Sequence, residues 1–141
     1  MVDARLTETE RAAARHMRAA AELVAHYVDA AVRAGTSADD INAVLSRVVA
    51  GTVLAEIWVT DETGKTQYSS TPDTAFTFPS NPAAPGQAAP FAMLLTGQAD
   101  HVEQGVQPRE LDGKRMMYVG VAGVDRTRIV QVGLSEAALA T

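Results

Sequence analysis

Aromatic and arginine side chains in and beside the predicted β-strands are the residues best suited to bind a small molecule. Trp58 lies in a first strand-like run, Tyr68 in the run that follows it, and Tyr118 in a later one. Their rings offer apolar walls with polar tips. Arg109 and Arg128 come just before and inside the last predicted hairpin, and a guanidinium can hold a carboxylate through two parallel hydrogen bonds. This set predicts a site for a small organic ligand, with a carboxylate or carbonyl group as the favoured chemistry.

The last two strand-like runs form a β-hairpin if Asp125 and Arg126 are its two-residue turn. The pairs that follow from this turn are Ala122 with Ile129, Gly120 with Gln131 and Tyr118 with Gly133. Side chains alternate between the faces of a strand, so one face carries Tyr118, Gly120 and Gln131. Glycine removes side-chain volume on this face, and the other two residues supply polar tips. We therefore expect a ligand cavity here, bounded by Gly120.

The same register determines where two further site residues point. If Trp58 shares the glycine-rich face, it forms a wall of the same cavity. Arg128 points to the opposite face, so its contact with a ligand requires a different turn. That opposite face is almost uniformly apolar and should be the packed one; it comprises Met117, Val119, Val121, Val130, Val132 and Leu134.

The titratable residues form no pattern typical of catalysis or metal binding. His16 and His26 are ten residues apart on a predicted helix, and His101 stands alone in a polar segment. We therefore predict no metal and no cofactor. Glu56 could act as a base in its apolar strand, but no partner carboxylate or histidine is close to it in sequence. The prediction is a protein that is not an enzyme.

The N-terminal third, residues 1–51, is predicted to be two helices. Thr7 to Glu10 is a capping-box pattern, and Gly35 ends the first helix after Ala34. A second helix begins after Ser37 and closes at Gly51. The first helix is long enough to extend past the sheet it covers, which predicts a homodimer through this helix. The residues of its apolar stripe that favour the dimer are Met17, Ala20, Val24 and Ala31.

Residues 52–136 are predicted to form an antiparallel sheet of about five strands with an inserted loop and short helices. Five of the six prolines fall in the inserted segment 71–90, where proline removes backbone donors and disfavours strands. Phe76 and Phe78 should pin this segment to the core. The short helix follows over residues 90–97. The whole chain, residues 1–141, is thus expected to be one α+β domain.

Two segments carry a resemblance to a known family. The run from Ile57 to Lys65 is similar to the first hairpin of Cache-type sensor domains, which are relatives of PAS domains. The runs 118–125 and 128–133 resemble the last hairpin of such sensors in some methyl-accepting chemotaxis proteins. The resemblance implies non-catalytic small-molecule sensing in bacterial signal transduction, with an unknown downstream signalling protein. The alternatives are a ligand-free structural dimerisation module and, with less support, a small α+β enzyme.

Composition excludes several other classes of function. The net charge of −5 gives no basic field for nucleic acid or for an anionic membrane. There is no cysteine, hence no disulfide framework and no zinc–cysteine site. The charged start, Met1 to Arg5, lacks the apolar core of a signal peptide, and no apolar run is long enough for a membrane helix. We expect a cytoplasmic protein.

Overall fold

The computed structural model describes residues 6–139 and has an α+β fold. The predicted charged segment 1–5 lies outside the described residues. The elements are, in order, α1 (Glu8–Arg33), α2 (Ala38–Gly51), β1 (Glu56–Thr60), β2 (Thr66–Ser69), a 3-10 turn (Ala89–Ala92), α3 (Met93–Thr96), β3 (His101–Glu103), β4 (Gln107–Pro108), β5 (Arg115–Ala122), β6 (Ile129–Ser135) and α4 (Glu136–Leu139). None of the described helices combines the length and apolarity needed to cross a membrane.

The helix boundaries agree with the capping signals in the sequence. Thr7 caps α1 through a complete capping box with Glu10, and Gly35 follows its end in a left-handed conformation, φ 73°. Ser37 caps α2 by accepting a hydrogen bond from the Asp40 N–H. These contacts satisfy backbone groups that have no partner within the helix.

The long first helix packs against the sheet of its own chain. Met17, Val24 and Ala31, three of the residues predicted to favour a dimer, are buried in this packing, whereas Ala20 is only half-buried. The core-facing stripe of α1 is therefore used within the chain. A contact between two copies would need a neighbouring stripe of the same helix.

The sheet has the order β2-β1-β6-β5-β3, with the short β4 also paired to β5, and all of its pairs are antiparallel. The predicted register of the last hairpin is confirmed, because Gly120 lies opposite Gln131 and Tyr118 opposite Gly133. Its loop is longer than the predicted two-residue turn, since the strands stop at Ala122 and Ile129. Six strands form in place of about five, because the expected edge strand is divided into β3 and β4.

Two different layers cover the two faces of the sheet. Helices α1 and α2 pack on the predicted apolar face, and the residues that this face contributes are Met117, Val119, Val121, Val130, Val132 and Leu134. The excursion between β2 and β3 covers the other face with Phe78, Phe91 and Leu94. The candidate site lies beneath this second layer.

Candidate ligand-binding site

Three neighbouring strands bring four polar or aromatic side chains onto one face of the sheet. Trp58 on β1 lies directly opposite Gln131 on β6. Glu56, two residues before Trp58, lies opposite Gly133, and Gly133 in turn lies opposite Tyr118 on β5. Alternation along each strand therefore places all of these side chains on the face that the excursion covers.

Three of these side chains, Trp58, Tyr118 and Gln131, border a small cavity between the sheet and its cover. Its volume is about 20 Å³, enough for roughly one water molecule. The residues that line it are Trp58, Phe76, Phe78, Gln87, Ala88, Arg109, Glu110, Leu111, Tyr118 and Gln131. Four of the seven predicted site residues are in this set. The sheet, the excursion and the β4–β5 turn each contribute part of the wall.

Two buried polar groups at this cavity have no hydrogen-bond partner in the described part of the chain. Gln131 is only 2% exposed and Trp58 only 3%. The Gln131 carboxamide and the Trp58 indole N–H make no hydrogen bond to the described residues, whereas the Glu56 carboxylate on the same face has two donors. The fully buried polar atoms without a partner in residues 6–139 belong to Asp125 and Arg128, so the polar atoms of Gln131 and Trp58 keep some surface that a bound molecule can reach. The cavity thus offers unsatisfied donors and an acceptor to a bound molecule.

A compact network of charged and phenolic groups forms one end of the site. The Glu56 carboxylate accepts hydrogen bonds from the Tyr118 hydroxyl and from Nη1 of Arg109. The same guanidinium donates Nε to Asp112 Oδ1 at 2.8 Å and Nη2 to Asp112 Oδ2 at 2.9 Å. Two carboxylates thus face a single guanidinium, which leaves the network with net negative charge.

Burial and the network change the pKa values of these groups in ways that have a clear physical cause. Burial raises the pKa of Tyr118 well above 10.0, and the adjacent Glu56 carboxylate raises it further. The hydrogen bonds to Asp112 raise the pKa of Arg109, and the guanidinium holds the pKa of Asp112 far below its usual range. Tyr118 is therefore a hydrogen-bond donor at neutral pH, and it is poorly suited to act as a base or nucleophile.

Gly133 is the residue that allows Glu56 and Tyr118 to meet across β6. A Cβ atom at this position would lie 2.7 Å from Tyr118 Cε1 and 2.8 Å from Glu56 Cγ. Both distances are shorter than atoms tolerate, so any side chain here would push the two groups apart. The space that this glycine leaves is covered by the hydrogen-bonded pair of Tyr118 and Glu56.

Gly120 likewise lies under a side chain and does not line the cavity. A Cβ atom at this position would be 2.7 Å from Cδ1 of Phe91 and 3.2 Å from Cδ1 of Leu94. The excursion therefore fills the space that glycine leaves at this end of the sheet. The cavity is confined to the region around Trp58 and Gln131.

The remaining two predicted site residues, Tyr68 and Arg128, lie together on the opposite face. Arg128 is completely buried, and its guanidinium carbon lies 5.6 Å from the centre of the Tyr68 ring. Its Nη2 donates to Asp125 at 3.2 Å, whereas Nε and Nη1 have no hydrogen-bond partner. Neither residue touches the cavity, as the register predicted for Arg128. The complete burial of Arg128 was not predicted, because no sequence pattern indicates that the 123–128 loop folds over its side chain.

Three functional features of the site were missing from the sequence prediction. Glu56 was considered only as a base, although its two-residue spacing from Trp58 places both side chains on one face. Asp112 begins an Asp-Gly dipeptide, which indicates a turn but not the partner of the aspartate side chain. The contribution of Glu110 and Leu111 to the cavity wall depends on how the β4–β5 turn folds back over the sheet, and no local pattern predicts that path.

No group of three or more histidine, cysteine or acidic side chains is placed to hold a metal ion anywhere in residues 6–139. His16 and His26 are exposed on α1. His101 lies on β3, where Nδ1 is 2.7 Å from Asp100 and Nε2 is 3.4 Å from Glu103. The site is therefore described by its aromatic walls, its unpartnered polar groups and its charged network.

Comparison with known proteins gives no family for this chain. No family model matches it, and no curated protein is a significant match. What is established is the α+β fold and the geometry of the cavity.

Proposed function

We propose that this domain binds a small organic molecule in the cavity around Trp58 and Gln131 and acts as a non-catalytic sensor. The observation that carries the proposal is that two mostly buried side chains, Trp58 and Gln131, line the cavity and make no hydrogen bond to residues 6–139. A bound molecule could supply the partners that these groups lack. Aromatic walls with a few convergent polar groups are typical of small-molecule sites.

The donors at the cavity favour a ligand that carries a carbonyl or carboxylate oxygen. The Trp58 indole N–H and the Gln131 amide can both donate to such an oxygen. Arg109 borders the same space, and a ligand carboxylate could bind it bidentately. Asp112 already accepts hydrogen bonds from Nε and Nη2 of Arg109. A ligand carboxylate must therefore displace Asp112 to bind the same two nitrogens.

A ligand larger than water requires the cover of the cavity to move. The volume of about 20 Å³ is far below the roughly 300 Å³ at which ordinary ligand pockets begin. The β4–β5 turn is the most exposed part of the wall, and Leu111 at its tip is 42% exposed. Ligand entry by opening of this turn would link binding to a change in shape, which is what a sensor needs.

The charged network supports binding over catalysis. Glu56 and Tyr118 are convergent, which is what a small α+β enzyme would require, but Glu56 already accepts from two donors. Tyr118 has a pKa raised by burial and by Glu56, whereas a catalytic base needs a pKa near the working pH. The network is better suited to fix the shape of the cavity wall.

A ligand-free dimerisation module is the second candidate function. The observation that favours it is that Phe91 fills the space over Gly120, so most of the glycine-rich face is packed. Under this alternative, no small molecule stabilises the protein.

The place of the domain in the cell also belongs to the proposal. The sequence resemblance of its two hairpins to those of Cache domains supports a role in bacterial signal transduction with a separate downstream partner. The absence of cysteine supports a cytoplasmic location.

A thermal-shift screen of small organic acids, amino acids and amines tests the proposal. Binding to the folded state should stabilise it by about 2.7 kcal/mol at a hundred times Kd. Gln131→Met should abolish the stabilisation and leave the fold intact, because the carboxamide has no partner to lose. Gln67→Met is the matched control, since Gln67 is exposed on β2.

A second pair of variants tests the ligand class. Arg109→Ala should weaken binding of acids, whereas Arg115→Ala should not, because Arg115 is exposed and bonds Glu136 away from the cavity. Hits confined to amines would contradict the carboxylate proposal. No hit at all, or stabilisation that survives in Gln131→Met, would contradict the site.

A further inference from the structure

A second concave surface lies on the opposite side of the molecule, along α1 and α2. Its volume is about 750 Å³. The lining residues come from α1, α2, the α2–β1 connection, β6 and α4, and none of them is Asp, Glu, Lys or Arg. We refer to this surface as the helical groove.

Six of the eight α1 residues that line the helical groove recur at the spacing of a coiled coil. These six follow one another at alternating intervals of four and three residues and are Thr9, Ala13, His16, Ala20, Leu23 and Tyr27. The other two, Met17 and Val24, belong to the buried core-facing stripe. A repeat of 3.5 residues keeps one seam of a helix facing a second helix that runs alongside. The seam covers about 27 Å of α1 at 1.5 Å per residue. The spacing therefore points to another helix as the occupant.

The rims of the helical groove carry the two most exposed large apolar side chains in the described part of the chain. Leu23, on the α1 rim, is 72% exposed, and Val53, between α2 and β1, is 63% exposed. A surface that carries both a protruding side chain and a groove can pair with the same surface of a second copy, because each side chain can fill the groove of the partner. In a dimer with a two-fold axis, Leu23 and Val53 of both copies would be buried.

The rest of α1 agrees with helix-to-helix packing along this seam. Ala13 and Ala20 are small enough to let a second helix approach closely. The charged residues of α1 fall on other sides of the helix and could remain in water; they include Arg11, Arg15, Glu22, Asp29 and Arg33. A fatty acid fits less well, because no Lys or Arg lines the helical groove to hold its carboxylate.

We propose that a second copy of this chain occupies the helical groove, with the two α1 helices packed along their seams and each Leu23 inserted beside the partner's α2. The seam lies next to the core-facing stripe, so dimer formation leaves the contacts between α1 and the sheet intact. This inference does not depend on ligand binding in the cavity, which lies on the other face of the sheet.

Sedimentation velocity at micromolar concentrations tests the proposal with three variants. The natural protein should be a dimer, and Leu23→Glu or Val53→Glu should raise the dimer dissociation constant by at least about tenfold, the effect of a typical interface anchor. Both side chains are largely exposed, so the monomer should still fold. His26→Glu is the control on the same helix; it is exposed and does not line the groove.

Several outcomes would overturn the proposal. They are a monomeric natural protein across the micromolar range, a dimer that persists in both Leu23→Glu and Val53→Glu, or equal loss of the dimer in His26→Glu. A monomer stabilised by a long-chain fatty acid would assign the helical groove to a lipid instead. Ligand hits for the cavity should be retained in Leu23→Glu whichever result is found, so failure of one proposal does not imply failure of the other.

Discussion

Tyr118 is the residue whose environment gives the clearest dependence on pH. Its pKa is raised by burial and by Glu56 above the ordinary 10.0, so the phenol stays protonated in the folded state after the unfolded chain has ionised. The resulting stability is fully present below pH 10.0 and is lost as pH rises further. Urea denaturation at a series of alkaline pH values should show this decrease in the free energy of unfolding.

The variant Tyr118→Phe isolates the effect. It should lower stability by about 1–3 kcal/mol at neutral pH, because Glu56 loses a buried donor. Its stability should then fall less steeply above pH 10.0 than that of the natural protein. Tyr27→Phe, at a half-buried position on α1, is the control. Equal alkaline slopes in the Tyr118→Phe and natural proteins would contradict the assigned environment.

Gly120 tests whether the glycine-rich face is filled. Since its Cβ would lie 2.7 Å from Phe91, Gly120→Leu should destabilise the fold by about 1–3 kcal/mol or more. Adding Phe91→Ala should recover part of the loss. Gly51→Leu is the control, because nothing lies within 4 Å of a Cβ there. If chemical denaturation gives Gly120→Leu the stability of the natural protein, the packing described here is wrong.

At this scale, the sequence predicted residue types and faces better than it predicted contacts. The alternation of side chains correctly placed Tyr118 and Gln131 on one face and Arg128 on the other. The covering of Gly120 could not be predicted, because it depends on the position of Phe91, which belongs to a segment with little regular structure. The Arg109–Asp112 pair was also missed, since a turn dipeptide does not reveal its side-chain partners.

Among the elements, the β4–β5 turn is the one whose movement would connect the cavity to solvent. Arg109 and Lys114 close it through the Arg109 N–H, which donates to the Lys114 carbonyl at 2.9 Å. The Asp112 carboxylate holds the guanidinium from the solvent side, while Glu110 and Leu111 lie against the cavity. A ligand carboxylate that replaces Asp112 should therefore loosen the turn.

Hydrogen exchange measured by mass spectrometry checks this expectation. An acid that stabilises the protein should increase exchange of backbone amides in residues 110–114 while it slows exchange in the strands. Asp112→Asn should bind the same acid more tightly, because the competing internal carboxylate is gone. Protection of the turn by the acid, or weaker binding in Asp112→Asn, would contradict the displacement.

The regular elements were largely predictable because their signals are local. Capping residues predicted both ends of α1 and the start of α2, and alternation predicted the register of β5 and β6. The last hairpin loop was longer than expected because the 123–128 segment forms its own contacts, among them the Asp125–Arg128 ion pair. Such contacts depend on buried space beneath the loop, which a sequence pattern does not reveal.

For the whole molecule, one hydrogen bond between a backbone N–H and a side-chain carboxylate could transmit a movement at the cavity to the long helix. The Val106 N–H donates to the Glu10 carboxylate at 2.6 Å, and Val106 precedes Arg109 by three residues. A movement of Arg109 would therefore be carried through β4 to the first turn of α1. We expect ligand binding to change the contacts of the first turn of α1, the helix whose seam we propose as the dimer contact.

Trp58 provides the most direct test of the central claim, because it is the only tryptophan in the chain and its indole borders the cavity. In a ¹H–¹⁵N spectrum it gives one indole N–H signal. Titration with an acid that raises the melting temperature should shift this signal saturably, and the shift should be lost in Gln131→Met but kept in Gln67→Met. A stabilising ligand that leaves the Trp58 indole signal unmoved would show that the cavity is not the binding site.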